Sequence, residues 1–182
     1  MFIQTEPTPN PATLKFLPGR AVMASGTANF TEAAATKSSP LAESLFALEG
    51  VTGVYLGADF ITVSKAADLD WLKLKPVVLA AIMDHFTSGR AVMSGAAAPA
   101  ETGGEEDDEV VAQIKELLET RVRPAVAQDG GDIIFQSFED GVVYLHMQGS
   151  CSGCPSSTAT LKAGIENMLR HYIPEVQEVR PV

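Results

Sequence analysis

Val142-Val143-Tyr144-Leu145-His146-Met147-Gln148-Gly149-Ser150-Cys151-Ser152-Gly153-Cys154-Pro155-Ser156-Ser157 decides how the second half of this chain is read. Its first six residues are rich in β-branched, aromatic and aliphatic side chains and read as a strand. Gly149 and Gly153 then let the backbone turn tightly and approach a bound group. Pro155 suits the first turn of a helix. That helix begins at Ser156 or Ser157 and runs to Tyr172, with Leu161, Ile165, Met168 and Leu169 facing inward. The two cysteines therefore occupy a loop between a strand and a helix N-terminus. There the unsatisfied N–H groups and the helix dipole favour a thiolate. Such a field suits a metal ligand and a redox nucleophile equally.

Upstream, residues 133–138 form a strand that returns through the turn Glu139-Asp140-Gly141. Asp129-Gly130-Gly131-Asp132 reads as a tight turn in preference to part of a site. Residues 109–122 carry the helical stripe Val110, Ile114, Leu117 and Leu118, and Pro124 with Gly130-Gly131 ends that region. Residues 176–179 make a last short strand. The order α-β-β-α-β over residues 109–182 predicts helices packed on one face of a three-stranded sheet.

Residues 1–88 read as a second α+β domain without cysteine. A strand covers 13–17 and stops at Pro18-Gly19. A helix over 40–48 shows Leu41, Leu45 and Leu48 at helical spacing, with Ser38-Ser39 as candidate caps. Residues 51–56 and 60–64 flank Gly57-Ala58-Asp59 as a hairpin. A helix over 71–86 places Leu72, Leu79, Ile82, Met83 and Phe86 on or near one face. Thr8-Pro9-Asn10-Pro11 reads as a rigid extended lead-in. Between the domains, residues 89–108 are small, Gly-rich and then acidic, the composition of a flexible linker. The fold class is therefore α+β, with two small domains joined by a flexible acidic linker.

The net charge of −10 is concentrated there, because residues 101–109 hold six acids and no base. No basic face is visible, so nucleic acid is not an expected partner. No run of about 18 apolar residues offers a membrane span. The N-terminus has neither a basic n-region nor an apolar h-region. That start fits a bacterial cytoplasmic protein, with a processed form in the mitochondrial matrix as the alternative. In a reducing compartment a close cysteine pair is more often metal-binding or catalytic than structural.

Ligand counting narrows the chemistry. Zinc sites and iron–sulfur clusters usually take four protein ligands, and this chain has two cysteines. His146 lies on a strand and His171 near the far end of a helix, so neither completes the set. A second copy across a two-fold axis would supply Cys151 and Cys154 twice. A [4Fe-4S] cluster suits four such thiolates, and a [2Fe-2S] cluster has the same count. A thiol–disulfide oxidoreductase is the alternative from spacing alone. Against it, the loop follows an antiparallel hairpin, whereas a thioredoxin-like motif follows the first strand of a βαβ unit. A zinc-bridged dimer and a buried, inert pair are plainer possibilities. Met147 and Met168 read as core, and His85 as the edge of a core helix. No Ser/His/Asp set, phosphate-binding glycine loop or carboxylate pair points to hydrolysis or phosphoryl transfer.

Arg123-Pro124 with Asp129-Gly130-Gly131-Asp132, the loop Gly149 to Ser157 and the helix from Thr160-Leu161-Lys162 onward closely resemble the NifU C-terminal (Nfu-type) domain. Thr8-Pro9-Asn10-Pro11-Ala12-Thr13-Leu14-Lys15-Phe16-Leu17-Pro18-Gly19 resembles the Nfu N-terminal domain. The resemblance implies an iron–sulfur cluster scaffold or carrier, not an enzyme, with Cys151 and Cys154 as ligands. Its implied partners are a second copy of itself, upstream assembly proteins and apo-proteins that receive the cluster. The cysteine-bearing assembly and ferredoxin-like domains of full-length NifU are missing, which favours a late carrier role. The spacer would let the first domain dock a client while the second presents the cluster.

Overall fold

The computed structural model describes residues 1–94, 109–152 and 155–182. The chain divides into two compact units, Met1–Glu101 and Thr102–Val182, each with its own apolar core. Most of the expected linker, residues 95–108, lies outside the described residues, and so do Gly153 and Cys154.

The first unit is a five-stranded antiparallel sheet. Its strands are β1 (Gln4–Pro7), β2 (Thr13–Leu17), β3 (Ala28–Phe30), β4 (Val51–Leu56) and β5 (Ile61–Lys65), in the order β1-β2-β5-β4-β3. Register pairs Phe16 with Ile61, Val54 with Val63 and Leu56 with Ile61. One face thus carries a continuous apolar set, and helices α1 (Pro40–Phe46) and α2 (Trp71–Thr87) pack on it. Side-chain caps start both helices. The Ser39 hydroxyl accepts from Ala42 N–H at 3.1 Å and an Asp70 oxygen accepts from Leu72 N–H at 3.0 Å, which removes orphan donors from each first turn.

Three expectations for this unit change. The Thr8-Pro9-Asn10-Pro11 stretch is no extended lead-in but the turn of the β1–β2 hairpin. Thr8 donates to the carbonyls of Asn10 and Thr13, and the Asn10 side chain accepts from Ala12 N–H. Second, α2 is rotated from the expected face. Leu74, Val78, Ile82 and His85 are buried, whereas Leu72 is 83% and Met83 42% exposed. Trp71 sets this rotation. Its ring packs edge-on against Phe16 and its indole N–H donates to Pro11 O at 3.1 Å. Third, part of the stretch read as linker packs on the unit. Val92 and Met93 lie against its core, Ser39 donates to Val92 O at 2.6 Å and Ser94 N–H to Ser38 O at 2.7 Å.

The second unit begins with α3 (Glu109–Leu117), a wide π turn at Leu118–Val122 and α4 (Arg123–Gln128). Pro124 does not end the helix here. It sits in the first turn of α4, where a missing N–H costs nothing, and the π turn just before it relieves the clash a proline ring makes with the preceding turn. Strands β6 (Gly131–Glu139) and β7 (Val142–Gly149) form an antiparallel hairpin with a bulge beside Gln136. Asp140 and Gly141 both take positive φ, 50° and 78°, as a two-residue turn of this hand requires. Helix α5 (Pro155–Tyr172) leads to β8 (Glu178–Pro181), which pairs parallel with β7 in a sheet ordered β6-β7-β8. Ile114, Leu118, Ile133, Leu145, Ile165 and Leu169 join helices and sheet in one core. The expected three-stranded sheet with helices on one face is present. One correction concerns the loop's surroundings, because β7, α5 and β8 make a β–α–β crossover.

His85 sits deeper than a helix edge. It is fully buried, and neither ring nitrogen meets a partner at hydrogen-bonding geometry, although the backbone of Arg90 and Ala91 favours the charged ring somewhat. Burial first, and the Arg90 cation second, hold its pKa below the usual 6.5. The unfolded chain therefore takes up the proton more readily, and stability present above about pH 6.5 is lost as pH falls below it. His85→Leu is expected to stabilise the first unit by about 1 kcal/mol at neutral pH and to flatten the loss of stability on acidification to pH 5. Urea denaturation at the two pH values checks this, and an unchanged pH dependence contradicts it.

Candidate cysteine-loop site

Gly131 opens β6, Gly149 closes β7, and the sheet register places them opposite each other. The turn at 129–132 and the cysteine loop therefore meet at one end of the sheet. Gly130 and Gly149 hold φ of 79° and 64°, a conformation that any Cβ would strain. Ser150, 2% exposed, binds the turn twice. Its N–H donates to Gly130 O at 3.2 Å and its hydroxyl donates to Asp129 O at 2.5 Å. A Cβ on Gly131 would collide with Cys151 Sγ and press on Gln148 O and Cys151 N. From the helix side, Thr158 donates its hydroxyl proton to Cys151 O at 3.2 Å.

An ion pair between a half-exposed Arg123 and a buried Asp132 braces the turn. Asp132 is 3% exposed and accepts two bonds from Arg123, Nε and Nη2 each at 2.9 Å, and one from Ile133 N–H at 2.8 Å. Arg123 also reaches Glu119 at 3.1 Å. A forked guanidinium matches a carboxylate in direction as well as charge. It fixes α4 to the first residues of β6, which carry Gly131.

Cys151 is 6% exposed and belongs to the core of the second unit. Its thiol is pushed up to about 11, first by burial and then by the charges of Asp129 and Asp132, with the Ser150 side chain pulling the other way. The thiolate expected of a cysteine beside a helix start is thus not what this position favours. Desolvation outweighs the field, because the sulfur lies against the turn and the core. Cys154, expected as its companion, lies outside the described residues. His146 points from the opposite face of the sheet, with Nδ1 3.1 Å from Val182 O, and His171 stacks edge-on against Tyr172. Among the described residues, no three His, Cys, Asp or Glu side chains converge in a way that could hold a metal ion. The turn at 129–132 is more than a turn, since Gly131 forms the floor under the first cysteine. The signal was a Gly-Gly pair at the start of a strand whose partner strand ends in Gly-Ser-Cys.

Comparison with known proteins gives two domain matches. Residues 3–89 match the model "Scaffold protein Nfu/NifU N terminal" and residues 114–180 match "NifU-like domain". The chain is 56% identical over 183 residues to the human protein "NFU1 iron-sulfur cluster scaffold homolog, mitochondrial", covering 100% of this chain and 72% of that one. It is 54% identical over 184 residues to "NifU-like protein 4, mitochondrial" of Arabidopsis thaliana, covering 98% of this chain and 65% of that one. The chain thus spans about two thirds of the length of these relatives. Among solved structures, the NMR structure of a NifU-like protein from Saccharomyces cerevisiae aligns with a TM-score of 0.47 and 27% identity, covering 52% of this chain and 85% of that one.

The floor can be tested by filling it. Gly131→Ala is expected to destabilise the second unit by about 2 kcal/mol, an overpacking cost, and to shift the amide resonances of Gly149 to Ser152. A variant with unchanged denaturation and spectra would contradict the packing described.

Proposed function

The chain belongs to the Nfu/NifU family, and from that premise we propose that it is an iron–sulfur cluster carrier rather than an enzyme. Two copies bring Cys151 and Cys154 together around one [4Fe-4S] cluster, with [2Fe-2S] as the alternative cargo, and pass it to apo-proteins. The supporting observation is the construction of the loop. A glycine floor, a twice-bonded serine and a braced turn are built around Cys151, yet one chain supplies only two thiols where a cluster takes four ligands. A two-fold axis doubles the set. The name of the similar human protein speaks of cluster scaffolding, and the names of the human and plant proteins both speak of mitochondria. They favour the mitochondrial matrix over bacterial cytoplasm as this chain's place of work.

A cluster held between subunits leaves when the pair opens, which suits transfer better than four ligands on one chain would. Separate cores in the two units allow one unit to engage a recipient while the other holds the cargo.

One observation favours the thiol–disulfide oxidoreductase, the parallel β7–α5–β8 crossover around the loop. The state of Cys151 weighs against it. A redox nucleophile needs an exposed, acidic thiol, and this one is buried with its pKa raised. Metal and sulfide analysis after anaerobic reconstitution separates the readings. Iron with equal sulfide, near four irons per two chains, is expected, and Cys151→Ala with Cys154→Ala should abolish it. Zinc would indicate a bridged structural dimer. A metal-free chain that reduces disulfides as a monomer would indicate the oxidoreductase.

A further inference from the structure

We propose that the outward face of α2 is a self-association surface, on which a second copy of this chain packs its own α2 antiparallel across a two-fold axis. The contact lies in the first unit and is separate from the pairing at the cysteines.

Helix α2 is apolar on two sides. Leu74, Val78, Ile82 and His85 are buried towards the core of the first unit. At 3.6 residues per turn, Leu72, Pro76, Ala80 and Met83 line up on the opposite side. All four are exposed, Leu72 at 83% and Met83 at 42%. Val77, 47% exposed, stands beside this row. A surface helix ordinarily carries charged and polar residues opposite its buried stripe, and a helix that is apolar all round is one covered all round. A single exposed apolar side chain means little. A continuous row along most of a helix marks a contact surface.

The charges beside the row identify what covers it. Lys73 and Asp84 are exposed on the same flank of the stripe, one near each end of α2. Lys73 has no ion-pair partner among the described residues. Asp84 meets Arg90 at 3.3 Å and still leaves its side chain 79% exposed. A two-fold axis at the level of Val78 reverses the second helix and keeps this flank on the same side of the pair. Lys73 then faces the partner's Asp84, and Asp84 faces the partner's Lys73, so one favourable contact is made twice. The same axis sets Leu72 near the partner's Met83 and Pro76 near the partner's Ala80. A single axis position thus serves the charged flank and the apolar row together. The short side chain of Ala80 at the middle of the row lets the two helices approach closely. One helix face buries less than the roughly 1,200 Å² at which standard interfaces begin, so this association is weak and reversible.

Sedimentation equilibrium of the full chain, kept reduced and free of metal, tests the surface. Monomer–dimer association is expected with a dissociation constant of about 0.1–1 mM, and a chain that stays monomeric to about 1 mM overturns the proposal. A face reserved for a helix of some other protein would give that monomeric result. Leu72→Glu should weaken association about ten-fold or more, the loss of one buried leucine, with an unchanged urea midpoint. If Leu72→Glu shifts that midpoint, Ala80→Glu reads the same face from the middle of the helix. Lys73→Asp and Asp84→Lys should each weaken association about five-fold, because each puts like charges opposite one another twice. An equimolar mixture of these two variants should associate as well as the unsubstituted chain, since across the axis every lysine again faces an aspartate. Association that ignores the glutamate substitutions, or a mixture no better than its parts, overturns the antiparallel α2 pair. No cluster enters the measurement. A negative result therefore leaves the carrier reading standing, and a chain that fails to load iron leaves this result standing.

Discussion

Cys151 lies on Gly131, and the cysteine end of the second unit is arranged around that contact. The sulfur can sit there because position 131 has no side chain. Gly131 is where it is because Asp132, the next residue, is forked to Arg123 and tied to its own strand. Arg123 in turn opens α4 directly after the π turn that lets the helix pass Pro124. A helix irregularity, an ion pair, a glycine and a thiol thus form one mechanical chain. A buried carboxylate is costly to leave unpaired, since removing one partner of such a pair is strongly destabilising. The half-exposed Arg123 tempers that cost, but the directional bonds still fix where β6 begins.

Burial sets the chemistry of the thiol more than its place near a helix start does. The dipole of a helix favours a thiolate at its N-terminus, yet desolvation and two neighbouring aspartates hold Cys151 in its protonated form. Such a thiol is a poor nucleophile. Under the proposed function it serves as a ligand once iron displaces its proton.

Much of this was legible from residue patterns. β4, β5 and the two principal helices of the first unit were readable from pattern and flanking turns, as was the β6–β7 hairpin with its Asp-Gly turn, while β2 alternates only weakly and was marked by the Pro18-Gly19 turn after it. β1 and β3 did not announce themselves, being short and mostly polar or small, and they are strands because the edges of an existing sheet pair with them. The rotation of α2 escaped notice for a different reason. Leu72 and Leu74 serve a helical stripe equally well on paper, and Trp71 packing on Phe16 chooses between them. The Cys-x-x-Cys loop itself was plain. Its floor was not, because the glycines beneath it lie about twenty residues upstream and join the site only through strand register. The loop does follow an antiparallel hairpin, but the direction of β8 was not legible, because its parallel pairing depends on where α5 returns the chain.

The two units keep separate cores, and the first contributes no cysteine, so under the proposed function the cluster ligands come from the second unit. Everything turns on whether the two thiols of one chain are half of a site. Native mass spectrometry of the anaerobically reconstituted protein tests that most directly. The account predicts that cluster mass appears on the dimer alone, as one [4Fe-4S] per two chains, with the monomer bare. A monomer carrying a complete cluster would contradict it.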